Sequence, residues 1–85
     1  MILNNNDLYQ TIQFLSDQLR ERGQEQYGSA LIDALSISSV PGEILGETRL
    51  QLQTLRSRGI ALGLGLDRQV DEALAYLDKV LGPQI

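Results

Sequence analysis

An 85-residue chain with 42% hydrophobic and 21% charged residues is expected to fold as one small domain, because it is too apolar for a disordered segment. It contains no cysteine and no histidine, which excludes disulfide frameworks, thiolate zinc sites, thiol nucleophiles and imidazole bases together. A net charge of −4 argues against general affinity for nucleic acid or an anionic membrane.

Taken in chain order, Met1-Ile2-Leu3 followed by Asn4-Asn5-Asn6 carries no basic segment and no long apolar run, so no secretory signal is expected and the cytoplasm is the expected location. Leu8, Ile12, Leu15 and Leu19 are spaced by four, three and four residues and predict a helix over residues 7–22. Asn6 is its expected N-cap and Gly23 its stop. Tyr27, Leu31, Ala34 and Leu35, widened by Ala30 and Ile32, predict a second helix after a connection short enough for a helical hairpin.

Pro41 fits the first turn of a third helix, with Ser39 as its cap and Ile44, Leu45, Thr48, Leu52 and Leu55 as its stripe, ending at Gly59. Residues 60–66 place a large aliphatic side chain at every even position between glycines. That spacing predicts an extended apolar connector whose alternate side chains either plug one end of the core or meet a partner. Asp67 is expected to cap a last helix with Val70, Ala73, Leu74, Leu77, Val80 and Leu81 inward, ending at Gly82-Pro83. The expected fold is therefore all-α: a four-helix antiparallel bundle with a glycine-containing apolar connector before its last helix, one domain over residues 1–85.

Chemistry-bearing motifs are sparse. Glu43 and Glu47 stand one helical turn apart, as do Asp67 and Asp71, a spacing that can offer two carboxylates to one magnesium ion. Helix-dipole stabilisation already accounts for Glu43 and Asp67, which sit at helix starts. Gly63 and Gly65 precede a helix, but no Gly-Lys-Ser/Thr follows, and Asp67 would face the phosphate of any phosphate loop. Arg49, Arg56 and Arg58 form a sparse basic edge without the aromatic stacking partners of a nucleic-acid surface. No catalytic, metal or cofactor residues are assigned, and no cofactor is expected.

The apolar residues that fall off the stripes carry more information. Phe14 lies about 120° from the Leu8/Leu15 stripe, and Leu50 nearly opposite the apolar face of its helix. Gly42 and Gly46 are costly to a helix and suggest a tight crossing. Either the third helix is buried on two sides, or Phe14, Leu50, Ile60, Leu62 and Leu64 bind a protein partner or a second copy.

The run Ala34-Leu35-Ser36-Ile37-Ser38-Ser39, followed by Gly42-Glu43-Ile44-Leu45-Gly46-Glu47, resembles the middle of small uncharacterised all-helical bacterial proteins, some of which accompany toxin genes as immunity-type partners. The resemblance covers the central third of the chain. It implies a bacterial cytoplasmic partner protein and transfers no catalytic or binding residue. The leading expectation is a non-catalytic protein-binding or self-associating helical module, contacting neither nucleic acid nor membrane. The competing one is a small metal-dependent enzyme acting on phosphorylated metabolites through Glu43, Glu47 and acids of another helix.

Overall fold

Asn4 opens the first helix: its Oδ1 accepts the Asp7 N–H at 2.8 Å, and the Asp7 carboxylate in turn accepts the Leu3 N–H at 3.0 Å. This reciprocal pair satisfies donors that a helix start leaves free. It moves the cap two residues upstream of Asn6, the expected one. In the computed structural model, which describes residues 2–82, helix α1 runs Asn5–Glu21, α2 Glu25–Leu35, α3 Pro41–Ser57, α4 Ile60–Gly63 and α5 Asp67–Leu81. The described residues contain no strand, so the chain is all-α with five helices.

Two other caps differ from expectation. Val40 rather than Ser39 precedes α3, with Pro41 in its first turn, and the Val40 N–H is held by Ser38 Oγ at 3.0 Å. Asp67 is the first residue inside α5, not its cap, and acts there only as an acid in the first turn. The expected stop at Gly82 holds, while Pro83 lies outside the described residues.

The connector is the main correction. Residues 60–66 are not extended: Gly59, at φ 71°, takes the chain out of α3 directly into the short α4. Gly65, at φ 73°, then closes α4, with the Leu66 N–H on the Ala61 carbonyl at 2.8 Å and the Gly65 N–H on the Leu62 carbonyl at 3.1 Å. These paired bonds are the usual glycine-terminated end of a helix. Helical twist therefore replaces alternation, and Ala61 and Leu66 are buried while Leu62 is exposed.

The stripes read from the sequence form most of the core, whereas Val80, expected inward near the end of α5, is 46% exposed. Leu8, Ile12, Leu15 and Leu19 of α1 meet Leu31 of α2, Leu45, Leu52 and Leu55 of α3, and Val70, Ala73, Leu74 and Leu77 of α5 in one buried cluster. Burying each large aliphatic side chain contributes about 1.5–3 kcal/mol. α1 packs most extensively on α2, and α3 lies between α2 and α5. The α1–α5 seam is the thinnest pairing among the long helices.

Polar ties reinforce this packing. Arg49 donates to the Gly82 carbonyl at 2.8 Å and pairs with Asp78 at 3.2 Å, joining α3 to the end of α5. Arg58 reaches the Tyr27 hydroxyl at 2.9 Å, and Arg22 reaches the Leu64 carbonyl at 2.6 Å. The close helix crossing occurs at Gly28, against the buried Ser16, and not at Gly46, where a side chain would meet open space. No helix among the described residues is long and apolar enough to cross a membrane.

Candidate functional site

The thin α1–α5 seam leaves a groove on the surface. Along one stretch of it Asp7, Gln10, Thr11 and Phe14 of α1 and Gln69 and Glu72 of α5 line a cleft of about 280 Å³. A second cleft of about 410 Å³, lined by Ile2, Leu3, Glu72, Ala75, Tyr76 and Lys79, continues it. Glu72 borders both, which places the two side by side along α5, and together they are the α1–α5 trough.

Local structure explains why the trough stays open. The Asn4–Asp7 cap holds Leu3 above the start of α1 with its side chain 74% exposed, instead of folding it onto the core. Tyr76 donates its hydroxyl to Asn5 Oδ1 at 2.5 Å, which fixes α5 to the start of α1. Further along, Phe14 stands 45% exposed on the rim. Gln69 Oε1 lies buried on the other wall without a donor among the described residues.

Phe14 is the one residue of the expected partner-binding set that borders this trough. Leu50 is 52% exposed on α3, a helix that is not a neighbour of α1, and it points away from the core. Helix α3 is accordingly buried on one face and not on two. Leu62 is 70% exposed on α4, whereas Ile60 and Leu64 are half-buried against the core cluster. The five residues therefore fall into separate regions: a groove rim, an outer helix face, and the end of the core with one side chain projecting from it. Comparison with protein-family models, curated proteins and solved structures finds no match.

Sequence reasoning missed Ile2, Leu3, Ala75 and Tyr76 as groove residues. The first two precede the first helix and belong to no periodic stripe, while Ala75 and Tyr76 fall off the stripe of the last helix. Their shared surface exists only because the chain ends α5 beside the start of α1. Two apolar residues standing just before a helix cap were the available signal, and of these Leu3 is exposed while Ile2 packs partly against the core.

The carboxylate pairs do not join into a larger acidic cluster among the described residues. Glu47 accepts a hydrogen bond from Gln51 at 3.0 Å, and Asp71 faces Arg56 at 3.6 Å on the surface. Among the described residues no three His, Cys, Asp or Glu side chains come close enough to hold a metal ion. Phe14 is the apolar side chain in an otherwise polar first cleft, while Ile2, Leu3, Ala75 and Tyr76 give the second cleft apolar contact area edged by Glu72 and Lys79.

Proposed function

We propose that this chain is a non-catalytic protein-binding module whose four long helices form an antiparallel bundle and whose α1–α5 trough receives a protein partner or a second copy. The observation that carries this reading is Phe14, a large aromatic side chain 45% exposed on the rim of a trough that also exposes Leu3. An aromatic anchor beside a concave apolar surface is where binding energy concentrates in protein interfaces. Arg49 pairs with Asp78, and Arg56, further along α3, pairs with Asp71, earlier in α5, which supports opposed directions for these two helices.

The partner is proposed to be a protein and not nucleic acid or membrane, in keeping with the net charge of −4. A bacterial cytoplasmic role, neutralising or regulating that protein, agrees with the resemblance of the central segment. Phe14→Asp tests the reading. The variant is expected to keep its helical circular dichroism while losing either the partner retained by the wild-type chain in affinity capture or the dimer mass seen in light scattering. A variant that retains both properties at wild-type levels would overturn it.

A further inference from the structure

Helix α4 is too short to stand by itself. Its four residues, Ile60–Gly63, make barely one turn, far below the roughly 12 residues at which an isolated helix becomes marginal in water, and Gly63 weakens it further. At both ends the chain turns through glycine at positive φ, Gly59 at 71° and Gly65 at 73°, and a Cβ at either position would meet nothing within 4 Å. These glycines serve the turns and not a close contact, so nothing packed on them resists a change of direction.

Little else holds the turn down. Of its own side chains only Ala61 is buried, Ile60 is half-buried and Leu62 is 70% exposed. Its backbone neighbours α3 and α5, the helices that flank it in the chain, and neither α1 nor α2. From the end of α1, Arg22 reaches across to it: Nη1 donates to the Leu64 carbonyl at 2.6 Å, while Nη2 donates to Gln18 Oε1 at 3.2 Å, which aims the guanidinium.

We propose that α4 is a latched strap: the segment between Gly59 and Gly65 opens locally while the four long helices stay packed, and the Arg22 bond to Leu64 holds it shut. Segments with few buried contacts and few hydrogen bonds open at free energies well below that of global unfolding. Lifting the strap uncovers Ala61 and the inner sides of Ile60 and Leu64 next to the exposed Leu62, an apolar surface displayed only in the open state. The strap contributes no side chain to the trough, so its opening is independent of what binds there.

Four successive amides report the opening, because Gly63, Leu64, Gly65 and Leu66 donate to carbonyls of residues 59–62. Hydrogen exchange on the full chain in low urea is expected to show these four exchanging with almost no urea dependence, since local opening exposes little surface. Amides inside α1 and α3 should follow the steep dependence of global unfolding. Arg22→Gln should accelerate the four by roughly three- to tenfold, the worth of one hydrogen bond. Gly63→Ala, whose Cβ meets open space, should slow them by roughly threefold, the shallow urea dependence being kept in both variants. A urea slope for these amides equal to that of α1 and α3 would mean that α4 opens only when the whole chain unfolds, and the strap would not exist. Unchanged exchange in either variant would overturn it too.

Discussion

Ser16 and Gly28 lock α1 to α2: the buried Ser16 hydroxyl donates to the Gly28 carbonyl at 2.8 Å, and a Cβ at position 28 would stand 2.8 Å from the Ser16 carbonyl oxygen. Backbone cannot yield as a flexible side chain can, so Gly28→Ala must separate the two helices. A loss of about 1–3 kcal/mol is expected, by the general cost of overpacking a close contact. Urea unfolding followed by circular dichroism measures it, and an unchanged midpoint would mean that the helices do not approach this closely.

Gly46→Ala should act in the opposite direction. Gly46 lies inside α3 with helical backbone, and a Cβ added at this position would meet nothing within 4 Å. Alanine there restricts the unfolded chain and costs the folded state nothing, so a gain of about 0.5–1 kcal/mol is expected. The same unfolding curves read it, and the sign of the shift separates a permissive glycine from a required one.

These two glycines also show what the sequence makes legible. Periodicity along one helix located Leu8, Ile12, Leu15 and Leu19, and all four are buried. The same logic marked Gly46 as a crossing because glycine is costly in a helix, yet it passed over Gly28, whose reason lies twelve residues away in another helix. Gly59 ends the third helix as expected, but alternation at residues 60–66 misled because Gly65, at positive φ, closes a short helix there, a role that side-chain alternation does not encode. Phe14 could be singled out from one helix alone, whereas its trough required the placement of α5.

Arg49 carries a third prediction. It is mostly buried, pairs with Asp78, and supplies a donor to the Gly82 carbonyl at the end of α5. Arg49→Met keeps most of the apolar stem and removes both polar bonds, so the last turn of α5 should fray. Amide hydrogen exchange near Asp78 and Lys79 is expected to accelerate by about tenfold, matching the roughly 1–2 kcal/mol of a charge-assisted hydrogen bond, while exchange in α1 stays unchanged. Uniform acceleration throughout the chain would show that Arg49 supports the whole fold and not this end.

Leu50 and Leu52, two positions apart on α3, should behave as opposites. Leu52 is fully buried, so Leu52→Ala removes core packing and is expected to cost about 2–5 kcal/mol, a large share of the roughly 5–15 kcal/mol available to a small protein. Leu50 is 52% exposed and points away from that core, so Leu50→Asp should stay within about 0.5 kcal/mol of the wild type. Unfolding at two protein concentrations sharpens the comparison. A midpoint independent of concentration for both variants means that α3 is covered on one side only. If the wild-type midpoint rose with concentration and Leu50→Asp abolished the rise, a second copy would be seated on α3, and this outer face rather than the trough would be where the chain associates with itself.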